Sequence, residues 1–285
     1  MKLTAIAGLG PVAEKYDAFI LDLWGVVHDG HRPFPGTVDC MRRLRAQGTP
    51  VILLSNAPRR SESVEDFLRQ KIGLPEGCHD HIITSGDLTH AHLARRAEGW
   101  HSYLRIGPER DWGLLDDLDY RRVETPAAAD FMLCTGLVDD EKEEPQDYDR
   151  IFREAIARDL VMVCANPDLT VMRGNVRVYC AGALAARYEA LGGRVIQHGK
   201  PHPDAYAACR AWLGPARARL LAVGDSLRTD IAGAHAAGID SVLVACGIHA
   251  EEWGVRAGEM PDPARIEAAI GDGPRPTYLA AELRW

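Results

Sequence analysis

Four short elements carry side chains that together could move a phosphoryl group. They are Asp22 after Ala18-Phe19-Ile20-Leu21, the pair Ser55-Asn56, Gly199-Lys200-Pro201-His202, and Gly224-Asp225-Ser226-Leu227-Arg228-Thr229-Asp230. They supply an anionic nucleophile, a hydroxyl donor, a fixed cation and a pair of carboxylates. Phosphoryl transfer requires that inventory, with positive charge and donors around the equatorial oxygens. A carboxylate approaches a phosphate dianion only if a cation lowers the repulsion. Mg²⁺ on oxygen ligands does this, and its sites use one or two carboxylates plus water. In that chemistry Asp22 is nucleophile and ligand, and Asp225 is the second ligand. A carboxyl with an ordinary pKa of about 4 is ionised at neutral pH and ready to attack. Singly, each residue has a plainer role: Asp22 as a cap, Ser55-Asn56 as turn chemistry, Lys200 as a solvated lysine, Asp230 as a charge favouring a helix start. Their occurrence in one ordered set outweighs those readings.

Such residues must be delivered to one place. Three of the four elements follow short apolar runs, and a buried parallel strand presents the residue after it at the carboxyl edge of its sheet. Strands are expected at Phe19 to Leu21, Val51 to Leu54, His81 to Thr84, Arg219 to Val223 and Ser241 to Val244. Helices are expected over 36–47, with Cys40, Met41 and Leu44 on one side, and from Ser61, where Val64, Phe67, Leu68 and Ile72 repeat with helical period. A third runs from Thr229 to Ala237. This alternation predicts an α/β fold with a parallel sheet. Residues 88–194 bring strands of their own, at Tyr103 to Ile106, Phe131 to Cys134 and Val161 to Cys164, in a block large enough for a domain. The expectation is a core of residues 1–87 and 195–285 with 88–194 inserted. The acidic run Asp139-Asp140-Glu141-Lys142-Glu143-Glu144 reads as a solvated loop.

Composition narrows the partners. A net charge of −8 over 285 residues argues against nucleic acid or an anionic membrane surface as the main partner. The seven cysteines show no C-x-x-C spacing and sit mostly in apolar runs, as buried thiols of a reducing compartment do. No apolar run approaches the ~20 residues of a membrane helix. The stretch from Met1 to Gly8 is too short, and too soon followed by Gly10-Pro11, for a secretory signal, so a cytoplasmic location is expected. The eleven histidines lack zinc spacing, and Gly8-Leu9-Gly10 precedes the first strand rather than following it, so neither a zinc site nor a dinucleotide fingerprint is expected.

With its four motifs in this order, the chain resembles the haloacid dehalogenase-like (HAD) hydrolases. The branch is class IIA, whose α/β cap is inserted between the second and third motifs and which includes nitrophenyl phosphate, pyridoxal phosphate and nucleotide phosphatases. The resemblance spans nearly the whole chain. It extends to Asn166-Pro167-Asp168 within the insertion and to Gly224-Asp225-Ser226-Leu227-Arg228-Thr229-Asp230-Ile231-Ala232-Gly233-Ala234. The opening Trp24-Gly25-Val26-Val27-His28-Asp29-Gly30 further resembles a sugar phosphatase subgroup with tryptophan at this position. The resemblance implies a Rossmann-like core and an aspartyl-phosphate formed on Asp22. Ser55, Asn56 and Lys200 would hold the phosphoryl oxygens. Asp22, Asp225 and the backbone carbonyl of Trp24 would bind Mg²⁺, and Asp230 would orient the metal waters or Lys200. The substrate implied is a small phosphorylated metabolite, contacted from the cap by Asn166, Asp168 and Arg173. Homodimers are compatible with it.

Position 24 departs from the pattern. The family carries there an aspartate that protonates the leaving oxygen and later deprotonates the attacking water, and an indole does neither at neutral pH. General acid–base help is worth ~10²–10⁴-fold, and its loss weighs most on poor leaving groups such as sugar alkoxides. Three outcomes follow: His28 or Asp29 replaces the acid, the enzyme acts on activated phosphoryl groups, or the site binds a phosphometabolite without turning it over. Metal-independent dehalogenases of the superfamily often carry an aromatic residue here, but Gly224-Asp225 speaks against that chemistry.

Overall fold

The computed structural model describes residues 3–173, 176–256 and 258–285. In chain order the first strands are β1 (Thr4–Ala5), β2 (Ala18–Leu21), β3 (Val51–Ser55) and β4 (His81–Thr84). Then come β5 (Ser102–Ile106), β6 (Arg121–Val123), β7 (Phe131–Cys134), β8 (Val161–Cys164), β9 (Thr170–Arg173), β10 (Val176–Tyr179) and β11 (Arg194–Gln197). The last are β12 (Leu220–Gly224), β13 (Asp240–Val244) and β14 (Tyr278–Ala280). The helices used below are α1 (Thr37–Ala46), α2 (Ser61–Phe67), α3 (Ser85–Ala94), α4 (Asp149–Ile156), α5 (Ala181–Ala190), α6 (Pro203–Leu213) and α7 (Ala232–Ala236). The chain forms two compact units. One comprises residues up to Ser55, Glu62–Ile83 and Lys200–Trp285; the other comprises Asn56–Ser61 and Thr84–Gly199.

The first unit is built on a seven-stranded sheet of order β1-β14-β13-β12-β2-β3-β4. β2, β3 and β12 are buried along their whole length. This is why they read as unbroken apolar runs: a parallel strand covered on both faces has no polar side to show. β12 pairs in parallel with β2 on one side and β13 on the other, and β2 pairs in parallel with β3. The chain leaves β2 towards β3 and leaves β12 towards β13, in opposite directions. That makes the carboxyl ends of β2 and β12 the switch point where such sheets bind ligands. The helix expected over 36–47 is α1. The helix expected from Ser61 is α2, continued by a π-helical turn at Leu68–Ile72. The segment expected as a helix from Thr229 is a π-helical turn, Leu227–Ile231, running into α7.

The second unit carries a five-stranded sheet of order β11-β8-β7-β5-β6, with every pairing parallel, and a separate antiparallel hairpin, β9–β10. Alternate residues of its inner strands enter two different cores. Met132 and Cys134 of β7 pack with Phe152 of α4 and with Leu184 and Tyr188 of α5, while Phe131 and Leu133 pack with Leu93 of α3 and with Leu114. Position 195, the expected return to the core, falls inside β11. Its pairing with β8 keeps it in this sheet, and the chain re-enters the first unit at Lys200. All seven cysteines are free thiols, and all but Cys246 are buried. No helix of the described residues is long and apolar enough to cross a membrane.

Candidate active site

Three of the motifs begin at strand ends of the first unit, and Lys200 opens the last segment of that unit. Asp22 directly follows β2, and its backbone N–H donates to the Val223 carbonyl at 2.9 Å, extending the pairing with β12 to the site itself. Asp225 directly follows β12, and Ser55 closes β3, the neighbour of β2. The buried Lys200 ammonium donates to Asp22 Oδ1 at 2.6 Å and to Asp230 Oδ1 at 2.7 Å. One cation thus bridges the first motif and the last. Asp230 is fixed on its other side by the Ser226 N–H, which donates to Oδ2 at 3.1 Å. The buried Tyr206 hydroxyl of α6 donates to the Asp230 carbonyl at 3.0 Å.

Asp225 is held in a slot made of glycine. The Ile248 N–H donates to its Oδ2 at 2.7 Å. A Cβ at Gly25 or at Gly247 would lie 2.0 Å from that oxygen, so only the lack of a side chain at both positions admits the carboxylate. Gly25 also has φ +83°, a backbone region that favours glycine. Gly224 does the same for Asp230, whose Cβ would stand 2.1 Å from an added methyl group. Gly247, Ile248 and Tyr206 carried no motif in the sequence. Their signal, a glycine three residues past the end of β13, reads as any strand-to-turn exit.

Carboxylate oxygens of Asp22, Asp225 and Asp230 lie within 4.8 Å of one another. Burial, together with the charges of Asp22 and Asp230, pushes the Asp225 carboxyl well above the usual carboxylate range. Three carboxylates facing one ammonium leave buried negative charge that a divalent cation would relieve. The donors are all hard oxygens, so the residues fit Mg²⁺.

Asn56 begins the second unit. Its side-chain amide donates to Asp168 Oδ1 at 2.9 Å, and the Asp168 N–H donates to Asn166 Oδ1 at 3.0 Å. Gly199 (φ +109°) abuts the same group, since its Cβ would meet Asn56 Oδ1 at 2.6 Å. The structure therefore brings Asn56, Asn166 and Asp168 together. Arg173, in the same unit, bonds Asp140 through both its Nη atoms, at 3.1 and 2.7 Å.

Trp24 has its own seat. Gly30 (φ +95°) lies under the indole, so close that a Cβ there would come within 2.8 Å of Cζ2. The buried His28 ring meets the indole edge-on, with centroids 5.1 Å apart. His28 Nδ1 accepts from the Gly30 N–H at 3.0 Å, and burial holds the imidazole down at about 4, so it is neutral. Asp29 Oδ1 accepts from the His31 and Arg32 N–H groups at 2.8 and 2.9 Å. Burial would raise that carboxyl, but those two bonds outweigh it and hold it below its ordinary range. His28 and Asp29, candidates for the role of the missing acid, each hold backbone N–H groups of the loop after Trp24.

Comparison with known proteins shows the family. A family model described as haloacid dehalogenase-like hydrolase matches residues 19–121, and a HAD-hydrolase-like model matches residues 197–272. A hydrolase of the haloacid dehalogenase-like family from Brucella suis 1330 has a solved structure that is 35% identical, covering 98% of this chain and 99% of that one, with a TM-score of 0.85. The ribonucleotide monophosphatase NagD of Escherichia coli K12 is 26% identical over 80% of this chain and 87% of its own. The glycerol phosphate phosphatase of Mycobacterium tuberculosis, solved in complex with magnesium, is 24% identical, with a TM-score of 0.68 over 94% of this chain and 75% of that one. The fold is thus the Rossmann-like parallel α/β core with an inserted α/β cap, and the chain belongs to the haloacid dehalogenase-like hydrolase family.

Proposed function

We propose that the chain is a Mg²⁺-dependent phosphatase that hydrolyses a small phosphorylated metabolite through an aspartyl-phosphate on Asp22. The observation that carries this reading is the Lys200 ammonium bridging Asp22 and Asp230 beside the buried Asp225. NagD and the glycerol phosphate phosphatase, both phosphatases by name, support it, and the latter's magnesium complex agrees with the all-oxygen donor set. Asp22, Asp225 and the Trp24 carbonyl would hold the ion, with Asp230 behind them. Bound there, Mg²⁺ would offset the repulsion between carboxylate and phosphate dianion.

Asp22 attacks phosphorus, and the electron pair of the breaking P–O bond stays on the leaving oxygen. Lys200 aims Asp22, and in this reading it steadies the phosphoryl oxygens together with Ser55 and Asn56. Water then attacks the same phosphorus, releasing phosphate and regenerating Asp22. With His28 Nδ1 and Asp29 Oδ1 engaged by the loop backbone, this reading assigns neither step a side chain to carry its proton. The enzyme accordingly favours leaving groups that depart as anions, such as phenolates, acyl groups and nucleoside diphosphates, over sugar alkoxides. The same seating of Trp24 favours a second reading, a phosphometabolite-binding protein without turnover. Mg²⁺-dependent stabilisation by ligand, with no hydrolysis across leaving groups of widely different pKa, would establish it.

Asp22→Asn tests the leading reading. Hydrolysis of 4-nitrophenyl phosphate should vanish while the thermal unfolding midpoint stays near that of the parent. Retained hydrolysis would reject the covalent route.

A further inference from the structure

The acidic run after β7 is a built turn. Tyr148 Oη accepts from the Val138 N–H at 2.8 Å and donates to Glu143 Oε2 at 2.7 Å, and that same oxygen accepts from the Asp139 N–H at 2.8 Å. The turn delivers one carboxylate, Asp140, beneath two guanidiniums. Arg173 bonds both its oxygens, and Arg110 Nη2 bonds Oδ2 at 2.5 Å. The Asp140 side chain is 9% exposed, against 52% for Arg110 and 38% for Arg173. The anion lies behind, and the two cations open outwards.

A structural clamp needs one arginine. Two on one carboxylate place like charges side by side and leave one positive charge over. Together they also carry more N–H donors than a single carboxylate accepts. Glu141 is 3.9 Å from Arg173, beyond hydrogen-bond reach, and largely exposed. The nearby buried Asp111 has Arg59 for its own partner, at 3.7 Å. The position in the fold points the same way. Arg110 follows β5, Asp140 follows β7, and β5 and β7 are the first and third strands of this sheet, adjacent in the order β11-β8-β7-β5-β6. The chain leaves them in opposite directions, so this is the second unit's own switch point, at the edge where parallel sheets receive ligands.

We infer that Arg110 and Arg173, positioned by Asp140, form an anion-binding fork on the second unit that takes a carboxylate or phosphoryl group. Paired guanidiniums suit either group, since both accept two parallel N–H bonds. The anion comes either from a substrate bearing a second charge, a case that rests on the phosphatase reading, or from a separate small ligand.

Inhibition of 4-nitrophenyl phosphate hydrolysis separates these sources. For a substrate-borne anion, 3-phosphoglycerate should inhibit about tenfold or more tightly than glycerol 3-phosphate, the gain expected of charge-assisted bonds. Arg110→Gln and Asp140→Asn should each erase the preference while leaving kcat for 4-nitrophenyl phosphate unchanged, a split that a merely structural role would not give, and Arg173→Gln should erase the preference as well. For a separate ligand, the two esters inhibit equally, and malonate changes the kinetics of the parent but not of the variants. Equal esters together with inert malonate would overturn the fork. If the parent hydrolyses nothing, the phosphatase reading fails, and calorimetric titration of the whole chain with malonate still decides: binding lost in Arg173→Gln supports the fork, and no binding to the parent overturns it.

Discussion

At the scale of single residues, the proposed preference among leaving groups turns on Trp24. Its ring fills the space over Gly30, and the hydrogen bonds of His28 and Asp29 shape the loop around it, so the tryptophan is built in rather than tolerated. A carboxyl restored at this position would again be able to protonate a leaving oxygen. Trp24→Asp should therefore raise turnover of alkyl phosphates by ~10²–10⁴-fold, the usual worth of general acid–base catalysis. Turnover of 4-nitrophenyl phosphate, whose leaving group needs no proton, should gain less, through the water-attack step alone. Steady-state kinetics on both substrates gives the comparison, and an equal gain on the two would contradict the leaving-group account.

At the scale of elements, function depends on strand ends and on the glycines that let them approach. Asp225 reaches its place because Gly25 and Gly247 have no side chains. Gly247→Ala puts a methyl carbon 2.0 Å from Asp225 Oδ2, and the carboxylate must move. Displacing a ligand's support typically costs ~10–100-fold in metal affinity, so the Mg²⁺ concentration for half-maximal activity should rise by that order, with activity recovered at high Mg²⁺. An unchanged Mg²⁺ dependence would argue that Asp225 is no ligand. The strands behind these ends were legible because each is a short apolar run cut off by a polar residue: Phe131 to Cys134 and Val161 to Cys164 were read to the residue. β1, β6 and the β9–β10 hairpin were not, since short edge strands with much of their surface solvated have no such pattern, and β14, buried between β1 and β13, is only three residues long. The grouping of Asp22, Lys200, Asp225 and Asp230 followed from motif order. The glycine slot around Asp225 did not, because it joins positions far apart in the chain whose only shared feature is a missing side chain. The role of the acidic run was hidden for a related reason: the arginines on Asp140 come from β9 and from the helical turn after β5.

At the scale of the whole molecule, the chain uses one device twice. Each unit is a parallel sheet whose strand order reverses direction once, and each gathers charged side chains at that reversal, carboxylates around a lysine in one and arginines around a carboxylate in the other. The first arrangement suits a phosphoryl group under attack, and the second suits an anion that is only held. The central claim is that Asp22 carries the phosphoryl group between two steps, the second slowed by the lack of a proton acceptor at position 24. Rapid quenching of the Mg²⁺-loaded enzyme with 4-nitrophenyl phosphate, then borohydride reduction and peptide mass spectrometry, tests it directly. The account predicts homoserine at position 22, accumulating within the first turnover. An unmodified Asp22, in a reaction that releases phosphate at the same rate, would contradict it.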